Sequence, residues 1–304
     1  REIRERVGNR QVVCGVSGGV DSTVLAVLLH EAGVNMRAIF VDNGLLRKNE
    51  AEEVRANFAR MNVEIETVDA SERFLAALDG ESDPEKKRRI IGGLFIDVFW
   101  DAVGDAEMLA QGTLYPDVIE SASNAKSKAS VIKTHHNRVE RVLELQAQGK
   151  VLEPLAELFK DEVRELGASM GIPHDILWRH PFPGPGLGVR CLGAITRDRL
   201  EALCEADAIL REEFAAAGLE GKVWQYFVSV PDFRVTGVKE GKRLYEWPAF
   251  IRAVNTVDAM TAEVPELDWA LLKKIGDRIA SEVDGICRVL YDLTPKPCGT
   301  IEFE

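Results

Sequence analysis

Gln11-Val-Val-Cys-Gly-Val16-Ser17-Gly-Gly-Val-Asp-Ser-Thr23 is the stretch that decides how this chain folds. Its first part, Gln11–Val16, is apolar and rich in β-branched residues, which predicts a buried strand. The run Ser22–Glu31 has the apolar spacing of a helix, and Gly33 ends it. Two consecutive glycines between these elements allow the backbone to turn tightly. A strand that passes through a short turn into a helix predicts a wound α/β fold.

The same alternation continues through the first half of the chain. Further strands are predicted at Met36–Val41, Val63–Val68 and Glu107–Gln111. Further helices are predicted at Lys48–Met61, Ser71–Leu78 and Asp83–Val103. This β-α-β-α order predicts a doubly wound parallel sheet. Because ligands of such sheets bind at the carboxyl ends of the strands, we expect Ser17, Asp42 and Gly112 on one rim.

The second half predicts a different and smaller unit. Leu114–His136 is polar without a clear period, which is typical of a functional loop or lid. Glu153–Gly167 has helical spacing, and the Pro/Gly-rich run His180–Gly188 can be neither a helix nor a central strand. An α+β pattern follows, with helices at Arg197–Ala217 and Leu267–Val283 and strands at Val223–Val230, Arg234–Val238 and Cys287–Asp292. We therefore predict a domain over residues 1–184 and a smaller one over 185–304.

Composition excludes several classes of protein. The net charge of −12 would repel a nucleic-acid backbone, although a small phosphate sees only its local site. The five cysteines are dispersed without a C-x-x-C pair, which predicts reduced, packed thiols rather than disulfides or a zinc site. No run approaches the roughly 20 apolar residues that span a bilayer. The charged start, Arg1–Arg10, lacks the apolar core of a signal peptide, so we expect a cytoplasmic protein.

The seven residues Ser17–Thr23 have the chemistry of a phosphate loop. Their glycines bring backbone N–H groups close to an anion, and the following helix directs its positive end to the same place. The hydroxyls of Ser17, Ser22 and Thr23 add hydrogen bonds, and Asp21 suits a Mg²⁺ ion shared with the phosphates. The pattern is neither a Walker A loop nor G-x-G-x-x-G. The alternative is a simple strand-to-helix turn that Asp21 or Ser22 caps.

This loop resembles the pyrophosphate-binding loop of the N-type ATP pyrophosphatases. That superfamily includes GMP synthase, NAD synthase, asparagine synthase, argininosuccinate synthase and tRNA-thiolating enzymes. The resemblance implies an adenine nucleotide alpha hydrolase-like fold that cleaves ATP between its α and β phosphates and transfers AMP to a substrate oxygen. The implied ATP-binding residues are Ser17, Gly18, Gly19, Val20, Asp21, Ser22, Thr23, Val41 and Gly112.

Nearly the whole chain resembles the synthetase portion of the GMP synthase family. The matching blocks are residues 40–50, 69–74, 83–92, 111–121, 132–137, 152–154, 158–164, 179–187 with Arg190, and 291–304. The junction Arg179–Leu187 and the ending Tyr291–Glu304 are the most specific, and NAD synthase would lack both. Three blocks depart from the family pattern: Arg138–Val142, Gly237–Tyr245 and Asp258–Glu263.

The resemblance also implies roles for individual residues. Catalysis is expected of Asp21, Lys133 and Lys160, with Mg²⁺ held by Asp21. Binding of XMP in the C-terminal domain is expected of Arg190, Lys296, Ile301 and Glu302. The alternative for each lone Lys or Arg is an ordinary solvated surface charge.

The implied reaction converts XMP to GMP with ATP and ammonia. A separate glutamine amidotransferase subunit is the expected ammonia source, and the C-terminal domain is expected to form a homodimer. Three rivals remain open: another ligase of the superfamily such as NAD synthase or a tRNA thiolase, a nucleotide-binding subunit without catalysis, and a structural protein, which would not need the loop. The missing C-x-x-C pair and the acidic charge disfavour the thiolase.

Overall fold

The computed structural model describes residues 1–114, 144–239, 241–257 and 259–304. The expected lid residue Lys133, and the departure at 138–142, lie outside these ranges. The chain divides into two compact units, each built from three stretches. Unit 1 comprises Arg1–Asn43, Ala51–Ala70 and Gly93–Arg179, and unit 2 comprises Gly44–Glu50, Ser71–Gly92 and His180–Glu304. A boundary between residues 184 and 185 stays a prediction.

A parallel sheet forms the centre of unit 1, as predicted. Among the described residues its five strands are β1 (Val12–Val16), β2 (Met36–Asp42), β3 (Ile65–Asp69), β4 (Met108–Ala110) and β5 (Val151–Leu152). Their order is β3-β2-β1-β4-β5, and every neighbouring pair is parallel. In β1, Val12, Val13, Cys14 and Val16 are buried, which explains its continuous apolar run.

Helices follow most of these strands. They are α1 (Glu2–Val7), α2 (Val20–Glu31), α3 (Glu50–Arg60), α4 (Ser71–Ala77), α5 (Pro84–Val103), α6 (Lys160–Ser169) and α7 (His174–Leu177). A glycine, Gly167, allows two of these helices, α6 and α2, to approach each other closely. A side-chain carbon at Gly167 of α6 would lie 3.0 Å from Val24 Cγ2 of α2 and 2.5 Å from Leu177 Cδ2. The absence of a side chain therefore lets α6 pack directly on α2.

Unit 2 contains the predicted α+β arrangement. A 3₁₀ turn (Gly186–Val189) precedes α8 (Arg197–Ala216), and the remaining elements are β6 (Gln225–Ser229), β7 (Val235–Lys239), β8 (Lys242–Val254), α9 (Trp269–Glu282) and β9 (Ile286–Tyr291). Strand β8 pairs antiparallel with β6 and β7 and parallel with β9. The two helices pack on this sheet and on each other.

Three sequence predictions need correction. The helix predicted over Glu153–Gly167 begins only at Lys160, because residues 153–158 form tight turns with Ala156 N–H donating to Glu153 O and Leu158 N–H to Leu155 O. Strand β8, the longest in the described chain, was not predicted. The 3₁₀ turn begins at Gly186, inside a run predicted to be irregular. No helix in the described ranges is long and apolar enough to cross a membrane.

Candidate active site

The loop Ser17–Gly19 lies at the point where the sheet of unit 1 reverses its winding. The chain moves from β1 outward to β2 and β3, then returns to place β4 on the other side of β1. Ligands of open parallel sheets bind at this reversal, beyond the carboxyl ends of the strands. Gly112, which follows β4, is close by, since a side-chain carbon there would lie 3.6 Å from the Asp21 carbonyl. The expected rim is therefore present.

Gly18 must be glycine for two separate reasons. Its φ of 73° lies in the left-handed region that side chains disfavour. A side-chain carbon there would also lie 2.5 Å from Val54 Cγ2 and 2.9 Å from Arg179 Nη1. The turn can therefore expose its backbone at Ser17 and Gly19 only because position 18 has no side chain.

The hydroxyl groups of the loop bond mainly to the loop itself. Ser22 Oγ accepts from Ser17 N–H at 3.1 Å and donates to Gly19 O at 3.1 Å. Thr23 Oγ1 donates to Gly19 O at 2.8 Å and is buried, so it shapes the turn rather than facing solvent. Ser17 is exposed, and its Oγ lies 3.2 Å from Ser22 Oγ. These bonds hold the turn open ahead of the first N–H groups of α2, which have no partner inside the helix.

Asp21 and Ser22 do not act as the N-cap of α2. The N-cap residue is Gly19, and no side chain caps it. Asp21 Oδ2 accepts from Lys160 Nζ at 3.3 Å, whereas Asp21 Oδ1 is buried and has no hydrogen-bond partner in the described chain. The structure thus brings the predicted residues Asp21 and Lys160 together.

The residues of this loop fit a magnesium ion that is shared with phosphates. The described residues contain no cluster of three or more His, Cys, Asp or Glu side chains that would hold a metal ion alone. Mg²⁺ is ordinarily bound by one or two carboxylates together with substrate phosphates and water. A carboxylate with an unpartnered oxygen beside a phosphate loop suits that mode, so Asp21 would be the protein ligand.

Arg179 belongs to this site although the sequence analysis assigned it no role there. Its Nη1 donates to Gly18 O at 3.0 Å, between residues 161 positions apart. The bond fixes the orientation of the peptide in the middle of the turn. No local pattern indicates such a contact. The predicted residue Val41 is buried near the end of β2, one residue before Asp42.

Unit 2 contains a second group of predicted residues around a fully buried arginine. Arg190 Nη2 and Nε donate to the two carboxylate oxygens of Glu302 at 2.9 and 3.2 Å. Gln225 Nε2 also donates to Glu302 Oε1, at 3.0 Å. The Arg190 guanidinium lies 4.1 Å from the centre of the Phe227 ring. Arg190 Nη1 is buried and has no partner among the described residues, so this nitrogen keeps unused hydrogen-bond donors.

Lys296 and Ile301, the other two predicted residues of this group, are half-buried. Lys296 Nζ donates to the carbonyl of Ala259 at 2.7 Å, and within the described ranges it forms no ion pair with a carboxylate. The carbonyl of Ile301 accepts from Arg252 Nε at 3.4 Å. No hydrogen bond among the described residues joins Lys296 to Arg190 or Glu302.

A buried cluster that the sequence analysis did not predict lies beside Arg190. Arg47 Nη2 lies 3.2 Å from His180 Nδ1, and Tyr226 N–H donates to His180 Nε2 at 2.7 Å. Burial, together with the nearby charges of Arg47 and Arg190, lowers the pKa of His180 to about 2. Burial also lowers the pKa of Arg47 to about 10, although Asp207 acts in the opposite direction. His180 is thus neutral in the folded protein.

Two family models match parts of this chain. The model of the GMP synthase C-terminal domain matches residues 212–303. The model of the tRNA methyl transferase HUP domain matches residues 10–78, which include the phosphate loop.

Several full-length relatives cover almost all of this chain. The putative GMP synthase [glutamine-hydrolyzing] 2 of Bacteroides thetaiotaomicron is 52% identical over 99% of this chain and 69% of its own length. The GMP synthase [glutamine-hydrolyzing] of Limosilactobacillus reuteri is 52% identical over 100% of this chain, which spans 59% of that protein. The protein of the same name from Bartonella bacilliformis is 53% identical over 99% of this chain and 59% of its own length.

Among solved structures, the NMN synthetase from Francisella tularensis matches with a TM-score of 0.43 and 18% identity. That match covers 62% of this chain and 72% of the other chain.

Proposed function

Because the chain belongs to the GMP synthase family, we propose that it uses ATP to aminate XMP to GMP, releasing AMP and pyrophosphate. The observation that carries this proposal is the loop Ser17–Thr23 at the reversal of the sheet. Its turn requires glycine at position 18, and Asp21 offers a carboxylate oxygen without a partner in the described chain. Both features suit a polyphosphate with a bound cation.

In the first step, the O2 oxygen of XMP attacks the α phosphorus of ATP. The bond between this phosphorus and the oxygen that bridges to the β phosphate breaks, and pyrophosphate leaves with that oxygen. Backbone N–H groups at the start of α2, Val20–Ser22, would stabilise the leaving pyrophosphate, because they are already oriented before the charge develops. Lys160, whose side chain is half exposed, adds a positive charge near Asp21.

Mg²⁺, when bound, would offset part of the charge of the pyrophosphate. Asp21 would hold it through the oxygen that Lys160 does not contact. We further propose that Lys133 closes over the phosphates, as the resemblance implies, and that Val41 and Gly112 border the adenosine. These roles follow from the family resemblance and from the positions of Val41 near the end of β2 and Gly112 shortly after β4, the two strands that flank β1.

In the second step, ammonia attacks C2 of the adenylated purine and AMP leaves with the former O2 oxygen. This step requires no covalent enzyme intermediate, so none of the five cysteines needs to act as a nucleophile. Burial raises the pKa of Cys14 to about 12, which keeps this thiol protonated and unreactive. The contribution of the protein is to position the two substrates and to balance their charge.

We propose that XMP binds in unit 2 through Arg190, Lys296, Ile301 and Glu302. Lys296 suits the phosphate, since its ammonium contacts a neutral carbonyl and no carboxylate in the described chain. Arg190 would contribute only Nη1, because its other donors are engaged by Glu302. Glu302 would therefore act mainly through Arg190 and Gln225 and offer the ligand its remaining lone pairs.

The assembly is also part of the proposal. A glutamine amidotransferase on a separate chain would supply the ammonia, as the resemblance implies; the names of the longer relatives include glutamine hydrolysis. A homodimer would form through the C-terminal domain. Exposed apolar side chains on β7 and β8, Val238 and Tyr245, support this, since their cross-strand register places them on one face. The cytoplasmic location stays a prediction.

The decisive experiment incubates the chain with ATP, XMP, Mg²⁺ and ammonium, and measures AMP, pyrophosphate and GMP. We expect the three products in equal amounts, and no GMP when glutamine replaces ammonium. Formation of ADP would contradict the proposal. AMP release that is independent of XMP would indicate another ligase of the superfamily, and ATP binding without turnover would indicate a non-catalytic subunit.

A further inference from the structure

Three buried cations hold the last thirteen residues of the sequence, Asp292–Glu304, which we call the C-terminal segment. Arg252 donates to the carbonyls of Thr294 at 2.5 Å and Thr300 at 2.9 Å and pairs with Asp292 at 3.0 Å. Arg190 binds Glu302, as described above. The third cation is Lys87 of α5, which pairs with Glu304. Three of the four residues proposed to bind XMP, Lys296, Ile301 and Glu302, thus lie on a segment that side chains from elsewhere in unit 2 hold in place.

Lys87 is fully buried, and all three of its donors are satisfied within unit 2. Its Nζ donates to Cys191 O at 3.0 Å, to Gly193 O at 2.9 Å and to Glu304 Oε2. A lysine ammonium has three N–H donors, so none remains for a ligand. The neighbouring Lys86 differs, since its side chain is 64% exposed and lies 3.8 Å from Glu81.

Glu304 also contacts the turn at residues 191–193, to which Lys87 donates. Its Oε1 accepts from Gly193 N–H at 2.6 Å, while Oε2 accepts from Lys87. The turn at 191–193 directly follows Arg190, and Glu304 is two residues beyond Glu302. The Lys87–Glu304 pair therefore fixes both chain segments that carry the Arg190–Glu302 pair.

We propose that Lys87 is a positioning residue for the XMP site, which it orders through Glu304 and the turn after Arg190. This proposal rests on the proposed function, because it assumes that XMP binds at Arg190 and the C-terminal segment. Arg190 Nη1 has no partner in the described chain, and the two segments that Lys87 joins carry Arg190 and its partner Glu302. A misplaced donor forfeits most of a hydrogen bond, since these bonds weaken steeply away from ideal geometry.

The test compares four full-length proteins: wild type, Lys87→Met, the double variant Lys87→Met/Glu304→Gln, and Lys86→Met as the matched control. The dissociation constant for XMP is measured without ATP, together with the KM for ATP and the melting temperature. Lys87→Met leaves Glu304 without its cation and should lower the melting temperature. The double variant removes both charges, so its melting temperature should recover.

We expect the dissociation constant for XMP to rise about 10-fold in Lys87→Met and to stay raised at least about 5-fold in the double variant. The KM for ATP should change by less than about 2-fold, and Lys86→Met should match the wild type throughout. If XMP affinity recovers together with stability in the double variant, Lys87 has only a structural role and the proposal is wrong. If the wild type neither binds XMP nor forms GMP, the proposed function itself fails and takes this proposal with it.

Discussion

The phosphate loop and the C-terminal segment are built in opposite ways. In the loop, the hydroxyl bonds connect residues within Ser17–Thr23, and the longest of them spans five positions. In the C-terminal segment, the stabilising side chains come from far away in the sequence. Lys87 and Glu304 are 217 positions apart, and Arg190 and Glu302 are 112 apart.

This difference predicts different responses to mutation. The loop exposes backbone and uses a half-buried carboxylate, so changes there should reduce catalysis while leaving the fold intact. The C-terminal segment relies on buried cations, and removing one leaves carbonyls and carboxylates without partners. Changes there should therefore reduce stability and the affinity for XMP together.

Asp21→Asn should have the largest effect, and it should fall on catalysis alone. The variant keeps the shape of the side chain but loses the charge that would hold the metal ion. We expect kcat/KM for GMP formation to fall on the order of 10³-fold, the scale of losing one electrostatic group at a reacting centre. The melting temperature should stay within about 2 °C of the wild type, as for a surface change.

Glu31→Gln, an exposed change at the other end of α2, is the matched control and should leave kcat/KM unchanged. Full activity of Asp21→Asn would remove Asp21 from the site. A large loss of stability would remove the contrast between the two regions.

Arg252→Met should be the next largest and should destabilise the protein by about 3 kcal/mol, as expected for breaking a buried ion pair. Arg252 is 1% exposed and contacts three carbonyls of the C-terminal segment. We expect raised values of KM for XMP, with the KM for ATP unchanged. Chemical denaturation measures the loss of stability, and steady-state kinetics measure the two KM values. Arg243→Met, an exposed change on the same strand, is the control, and an equal effect of the two variants would contradict the role of Arg252.

The form of the phosphate loop could be predicted from the sequence because the loop is local. Gly18, Asp21 and the flanking strand and helix all lie within one strand–turn–helix unit, and their chemistry can be deduced from residue types alone. The parallel sheet was predicted for the same reason, since each strand carries a continuous or alternating apolar pattern. Lys160 was predicted only by resemblance, because 139 positions separate it from Asp21.

The parts that could not be predicted depend on distant contacts. Lys87 stands in a run of four basic residues, Lys86–Arg89, and only the fold shows that Lys87 is buried while Lys86 is exposed. The false helix over residues 153–159 arose because its apolar spacing is helical, whereas the chain there makes tight turns after β5. Strand β8 was missed because its burial changes along its length, from mostly exposed near Lys242 to buried near Val254.

The pH dependence of stability tests whether unit 2 buries His180 as a neutral group. The folded protein holds the pKa of His180 at about 2, far below the ordinary value near 6.5 that the unfolded chain retains. The unfolded state therefore binds a proton first as the pH falls. The contribution of neutral, buried His180 to the free energy of unfolding is therefore complete above pH 6.5 and is lost progressively below it. Between pH 7.5 and pH 5 the wild type should lose about 2 kcal/mol more than His180→Gln.

Denaturant titrations at the two pH values measure this difference. His30→Gln removes an exposed histidine and should follow the wild type at both pH values. If the free energy of unfolding falls equally in the wild type and in His180→Gln, His180 is not buried as a neutral group. The charged groups around it in unit 2 would then be less buried than described above.

Arg179 gives the test with the smallest expected effect, because among the described residues its hydrogen bond is the one that joins a distant side chain to the backbone of the phosphate loop. Its bond to Gly18 O fixes the turn, so Arg179→Met should raise the KM for ATP about 10-fold, the value of one charge-assisted hydrogen bond. Arg179→Lys separates the two ways in which this could act. If the charge acts on the phosphates from a distance, lysine restores most of the affinity. If the guanidinium orients the Gly18 peptide, lysine restores little, since it lacks the planar fork that makes this contact. The second result is expected, and it would mean that even a locally encoded loop needs one distant side chain to hold its amides toward the ligand.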